Sequence, residues 1–172
     1  MPINDNYPNS NAANDWQYPE KILQALIRHD TTNPPGNEKA CILYIANLLK
    51  KYGIESQIIA KNSDRPNLIA RLSGNSNAPP LLIYGHADVV TTEKQTWKYP
   101  PFEGKITDGY VWGRGALDMK GMIAMSAAAV LRAKASDLKP AGDIVFLVLS
   151  DEEAGGTMGA RFLVENHPEQ FS

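Results

Sequence analysis

The sequence predicts an α/β fold, a mixed, mostly parallel sheet flanked by helices. Three observations carry that expectation. Two apolar runs, PPLLIYGH (79–86) and GDIVFLVLSDEE (142–153), read as strands buried on both faces, as in a parallel sheet. Helical spacing of apolar residues recurs before the first run and around the second. The order is two helices, several short strands, then a β-α-β-α succession, which suits helices layered over a sheet.

Taken in order, residues 1–15 (MPINDNYPNSNAAND) are rich in Asn and poor in large apolar side chains. They bury too little to offset their ordering entropy, so they are read as a disordered tail, with residues 16–172 as the folded unit. In YPEKILQALIRH (18–29), Ile22, Leu23, Leu26 and Ile27 have helical spacing. TTNPPG (31–36) stops that helix, because Pro34 disfavours a helical Asn33. NEKACILYIANLLKKYG (37–53) is a second helix with Gly53 at its C-terminal cap. ESQIIA (55–60), NLIARLSG (67–74) and residues 79–86 read as strands. Residues 91–109 form a long loop with a short strand near Lys105–Ile106, and YVWGRG (110–115) is extended. DMKGMIAMSAAAVLRAKAS (118–136) is a helix whose Met119, Met122 and Met125 are expected in the core. TMGARFLVENHP (157–168) is a last helix, stopped by Pro168.

The totals exclude several function classes. With 43% hydrophobic and 21% charged residues, the composition is that of an ordinary globular protein. Seventeen basic and nineteen acidic residues give a net charge of −2, which does not point to nucleic acid. No apolar run approaches the roughly 20 residues of a membrane span, and the N-terminus lacks signal-peptide features. Cys41 is the only cysteine, so no internal disulfide forms. The expected location is cytoplasmic.

Polar residues gather at three places. His86 and Asp88 follow the first buried run, Asp118 follows the Gly-rich WGRGALD turn and opens a helix, and Asp151, Glu152 and Glu153 follow the second run. In open α/β sheets, ligands sit beyond the carboxyl ends of the strands, so these groups are expected to converge at one rim. Imidazole nitrogen and carboxylate oxygen ligate zinc. A carboxylate can bridge two metals about 3.5–4 Å apart. An aspartate two residues from a ligating histidine can accept its other ring N–H, and a glutamate beside a ligating glutamate can act as general base. Each position also has a structural reading: a hydrogen-bonded histidine after a strand, an Asp118 helix N-cap, and acidic residues favoured by a helix dipole. Taken together, the three favour metal-assisted hydrolysis.

Competing chemistries have weaker support. GRGALDMKG lacks the third glycine of a dinucleotide loop, no G-K-[ST] follows GGTMG, and neither Ser126 nor Ser150 lies in G-x-S-x-G. His29 and His167 sit near helix ends, and Cys41 has no arranged base, so none of the three is assigned a catalytic role.

The strings GHADVV (85–90), WKYPPFEGKITDGYVWGRGALDMKGMIA (97–124) and LSDEEAGGTMGA (149–160), with TTNPPGNE (31–38), resemble a known family over roughly residues 16–170. It is the di-zinc family of aminoacylase, acetylornithine deacetylase, succinyl-diaminopimelate desuccinylase and carboxypeptidase G. The resemblance implies a zinc-exopeptidase-like catalytic domain. It assigns His86 as a first-site zinc ligand, Asp88 as the residue that orients it, and Asp118 as the bridging carboxylate. Glu152 would be the general base and Glu153 a second-site ligand, with a cis peptide between Asp118 and Met119. Two zinc ions are implied, with cobalt or manganese as substitutes, and the implied substrate is an N-acyl amino acid or a peptide cleaved at its amide bond.

Members of that family are longer. They carry one more first-site carboxylate beyond the DEE motif, a second-site histidine near the far C-terminus, and an inserted lid or dimerisation domain. None of these falls within residues 1–172. The expectation is therefore an N-terminal portion of the catalytic domain that binds zinc weakly or not at all, with an open sheet edge that invites self-association. The alternative is a catalytically inactive remnant acting as a binding or self-associating module.

Overall fold

The computed structural model describes residues 14–136 and 139–171. Most of the expected tail, residues 1–13, lies outside the described residues. Its last residue belongs to the body: Asp15 opens a short 3-10 turn, Asp15–Gln17, and its backbone N–H donates to Tyr52 Oη at 2.8 Å.

Helix α1 spans Pro19–Ile27, with proline at its start, where a missing N–H costs nothing. Helix α2 spans Lys39–Lys51 and buries Cys41, Ile42, Ile45, Leu48 and Leu49 along one stripe. It ends as expected at Gly53, whose φ of +66° lets the Ile54 amide return to the Leu49 carbonyl at 3.1 Å. The strands are β1 (Ser56–Ile59), β2 (Asn67–Leu72), β3 (Leu81–His86), β4 (Lys105–Thr107), β5 (Tyr110–Trp112) and β6 (Ile144–Leu149). Helix α3 covers Lys120–Ala135 and α4 covers Ala160–Asn166.

The main sheet has the order β1-β2-β6-β3, and β4 and β5 form a separate hairpin. The sheet is mixed and flanked by helices, as expected. Its parallel share is smaller than expected, since β1/β2 and β2/β6 are antiparallel and only β3/β6 is parallel among the described residues. Connection length accounts for this. A short link folds β2 back on β1, whereas β3 reaches β6 through a crossover that contains α3.

Two-residue periodicity divides the core. Leu68 and Ala70 of β2 and Phe146 and Val148 of β6 pack against α1, α2 and α3. Ile69, Val145, Leu147 and Leu149 face the other way, onto Leu163 of α4. Strand β6 is therefore buried on both faces, as its sequence predicts.

Strand β3 is not. Leu81, Leu82 and Tyr84 are 58%, 45% and 59% exposed. β3 lies at the edge of the sheet, and Leu82 and Tyr84 point to the side that short α4 does not reach. Only Ile83, on the opposite face, packs against the large core. The methionine expectation also fails in part. Met122 and Met125 are 46% and 58% exposed, because α3 turns Ile123, Ala124, Ala127 and Leu131 inward instead.

The parallel β3/β6 pair positions the site. His86 stands opposite Leu149, so both strands end at one rim. No described helix is long and apolar enough to cross a membrane.

Candidate metal centre

His86 is the last residue of β3 and is 5% exposed. Its Nδ1 lies 3.0 Å from the Asp88 backbone carbonyl, and the Asp88 carboxylate is farther away, at 3.5 Å. Its Nε2 faces Asp118 Oδ1 at 3.1 Å and Glu152 Oε2 at 3.7 Å. Both ring nitrogens thus meet acceptors, which favours the doubly protonated ring. Burial alone would lower the imidazole pKa. The hydrogen bonds and charge of Asp88, together with the charge of Glu152, outweigh burial and push it up to about 9.

Asp88 does more than face the ring. It is fully buried, and its Oδ1 accepts from the Glu152 amide at 3.1 Å while its Oδ2 accepts from the Glu153 amide at 3.0 Å. Asn33 Nδ2 donates to the same Oδ2 at 2.8 Å. Burial works to raise the pKa of this carboxyl, but the bonds from His86, Asn33 and the two amides hold it below the usual carboxylate range. The end of β3 is thereby tied to the turn after β6.

That turn begins at Asp151, a non-glycine residue at φ +69°, and continues as a 3-10 turn over Glu152–Ala154. Asp151 Oδ2 accepts from Thr157 Oγ1 and the Met158 amide, each at 3.0 Å. Aspartate tolerates the left-handed region better than most residues, and these bonds hold it there. Glu152 and Glu153 then project toward the rim. Burial pushes the Glu153 carboxyl up; the His86 charge works against this, and the charges of Asp118, Glu152 and Asp88 reinforce it.

Asp118 arrives from the other side, between the β4/β5 hairpin and α3. It does not open the helix, which starts at Lys120 with Met119 at the cap position, so the N-cap reading of Asp118 is set aside. The Asp118–Met119 peptide is cis. Next to it, the fully buried Lys120 donates through Nζ to the carbonyls of Leu26 (3.1 Å) and His29 (2.7 Å). Those carbonyls lie in and just beyond the last turn of α1, where a cation is favourable, and the bonds fix the first turn of α3.

The structure brings His86, Asp118 and Glu153 together: one ligand atom from each lies within 4.8 Å of the others. Glu152 borders the cluster, its side chain 59% exposed, and Asp88 lies beneath. The donor set suits a divalent metal, since an imidazole and two carboxylates match zinc's ligand preferences. A cation there would also offset the repulsion among the carboxylates. An open cavity of about 440 Å³ adjoins the cluster, lined by His86, Glu152, Tyr84 and Arg161.

Sequence reasoning missed Asn33, Glu38, Arg65, Asn67 and Lys120, all of which hold parts of this rim. TTNPPGNE contains two of them, but nothing in its spacing says that Asn33 bridges two carboxylates. Arg65 and Asn67 lie in an unremarkable SDRPN segment.

Residues 82–171, more than half of the chain, match the sequence profile of Peptidase family M20/M25/M40. The chain belongs to this family. The M20 family comprises metallopeptidases and amidohydrolases. A curated relative, the succinyl-diaminopimelate desuccinylase of Ehrlichia canis (strain Jake), is 37% identical over 139 residues, covering 78% of this chain and 35% of the relative. The M20 chain thus spans about a third of the length of that relative. Among solved structures, human carnosine dipeptidase 1 matches 96% of this chain and 40% of its own, with a TM-score of 0.77 at 20% identity. An M20 family metallo-carboxypeptidase from Sulfolobus solfataricus gives a TM-score of 0.77 at 21% identity, over 90% of this chain and 35% of its own. At these identities the structural matches establish a shared M20 fold.

Proposed function

We propose that this chain carries part of a di-zinc site for hydrolysing an amide bond in an N-acyl amino acid or a small peptide. The observation that carries the reading is the convergence of His86, Asp118 and Glu153, with Glu152 alongside. His86 and Asp118 would hold one metal, and Asp118 and Glu153 the other, with Asp118 bridging. A divalent metal bound here would polarise the substrate carbonyl and acidify a coordinated water. Glu152 would take the proton from the attacking water and later deliver it to the leaving amine. Its side chain is 59% exposed at the rim and, among the described residues, its ion-pair contact is with His86 at 3.7 Å, which leaves it accessible for that role. Asp88 would orient His86 and brace the backbone that presents Glu152 and Glu153.

The test has two parts. Zinc titration of the chain should show weak binding that His86→Ala and Glu153→Gln each remove, while Glu152→Gln leaves it intact. In a full-length enzyme carrying the same rim, Glu152→Gln should lower turnover on N-acyl amino acids or dipeptides by at least about 10²-fold. Zinc binding that survives His86→Ala, or full turnover in Glu152→Gln, would refute the assignment.

A second reading has its own observation. Among the described residues β3 is an edge strand, and it exposes Leu81, Leu82 and Tyr84. We infer that this edge pairs with another chain, a second copy being the partner to test. This reading is compatible with the first.

A further inference from the structure

Beneath the rim lies a buried ionic network. Arg65 donates through Nη2 to Glu38 Oε1 at 2.6 Å and through Nε to Glu38 Oε2 at 3.1 Å, a two-pronged contact. Its third nitrogen, Nη1, meets Asp151 Oδ1 at 3.0 Å. Glu38 is fully buried, and the side chains of Arg65 and Asp151 are 12% and 4% exposed. Glu38 Oε1 also accepts from the Asp151 amide at 3.3 Å. Asn33 closes the network by donating to both Asp88 Oδ2 and Asp151 Oδ1, at 2.8 and 3.2 Å.

The chain makes room for this arrangement. At Gly36 a Cβ would lie 2.4 Å from the Arg65 guanidinium, and its φ of +80° suits glycine. Two residues after Arg65, Asn67 Oδ1 accepts from the Ser150 amide at 2.9 Å, and the Pro66 carbonyl accepts from Ser150 Oγ at 2.6 Å. Residues 65–67 therefore grip the chain at Ser150 and Asp151, just before the two rim glutamates.

We infer that Arg65 is a positioning residue for the metal centre: by clamping Asp151 against Glu38 it sets the left-handed turn that aims Glu153 at His86 and Asp118. The inference rests on the metal-centre reading above. It does not make Arg65 a ligand or a proton carrier. A planar guanidinium can hold two carboxylates at fixed angles, and a lysine ammonium cannot. Residues that orient ligands from behind typically change metal affinity about 10–100-fold when replaced.

The experiment measures zinc affinity of the chain by chelator competition, with urea unfolding of the metal-free protein run in parallel. Arg65→Met and Asp151→Asn should each weaken zinc binding about 10–100-fold at a temperature where the metal-free variant remains folded. The double variant should lose no more than the worse single, because Arg65 acts through Asp151. Arg65→Lys should fall between wild type and Arg65→Met. It also carries the test if Arg65→Met does not fold, since it keeps a positive charge beside Glu38. Zinc affinity within twofold of wild type in a folded Arg65 variant would overturn the proposal, as would losses that add in the double variant. His86→Ala or Glu153→Gln binding zinc like the wild type would refute the metal-centre reading itself, and this inference with it.

Discussion

His86 makes the metal-free protein's stability depend on pH in a direction that can be worked out. Its folded pKa is raised to about 9 from an ordinary 6.5. The folded state therefore binds this proton more tightly than the unfolded chain does. The resulting stabilisation is fully present below pH 6.5 and is lost as pH rises through 9. At about 1.4 kcal/mol per pH unit, the upper bound is about 3 kcal/mol. Glu152, whose charge contributes to the shift, has a side chain 59% exposed, so water screens its share and about 2 kcal/mol is the better expectation. Urea unfolding in EDTA at pH 6, 7, 8 and 9 measures the effect, with His86→Gln as the reference. Below pH 9 the test avoids the Cys41 thiol, which burial pushes up to about 11. Stability should fall by about 2 kcal/mol from pH 6 to 9 in the wild type, and His86→Gln should lack that fall. An NMR titration of the imidazole should give a midpoint near 9. A midpoint at or below 7, with parallel pH profiles for the two proteins, would refute the reasoning.

Three further predictions follow from the same contacts. Asp88→Ala strips acceptors from the Glu152 and Glu153 amides and from Asn33; it should cost about 3 kcal/mol, and hydrogen exchange at those two amides should accelerate. Gly85→Ala places a Cβ 2.9 Å from Ile123 Cγ1 and 3.3 Å from Met119 Cε; overpacking there should cost about 1–3 kcal/mol in urea unfolding and weaken zinc binding through the neighbouring His86 and Asp118. Tyr84→Lys puts a charge on the exposed β3 edge; if the edge pairs copies, sedimentation should show the wild type associating at high concentration and the variant remaining monomeric.

The sequence carried the layered α/β architecture because buried strands and amphipathic helices leave local signatures. Strand β6 reads correctly because both its faces are covered. Strand β3 has the same apolar signature, yet half of it is exposed, because burial depends on what lies beside a strand and not on its own residues. The two outward methionines of α3 fail for a related reason. Helical spacing says which residues share a face, but here the packed face is the one that carries Ile123, Leu131 and several alanines. His86, Asp118 and Glu153 were expected at one rim because each follows a strand or turn, and the structure does bring the three side chains together. Arg65 was not legible. Its partners Glu38 and Asp151 are 27 residues away in one direction and 86 in the other, and an isolated arginine before a proline carries no local sign of burial.

The arrangement of charge explains how one small rim can present several acids outward. Asp88 and Asp151 are buried carboxylates, and their oxygens are matched to donors inside the protein: the amides of Glu152, Glu153 and Met158, the Asn33 side chain, and Arg65. Unmatched, such groups would destabilise the fold by several kcal/mol each. Matched, they act as rigid supports. Arg65 has its guanidinium engaged by Glu38 and Asp151, beneath the rim, so it does not neutralise the outward-facing Glu152 and Glu153. Asp118 is different: its side chain is 75% exposed, and its contact with the other two is through His86 Nε2. It lies just before α3, whose first turn Lys120 fixes to the chain at the end of α1. The rim therefore consists of one rigid half, in which Asp88 locks β3 to the glutamate turn, and one half held by a separate layer of the fold. In the metal-free protein the protonated His86 ring partly offsets these carboxylates, and a divalent cation that engages both halves would offset them with a larger charge. This division, with internal donors for the buried acids and open water for the outward ones, makes the rim suited to a divalent metal.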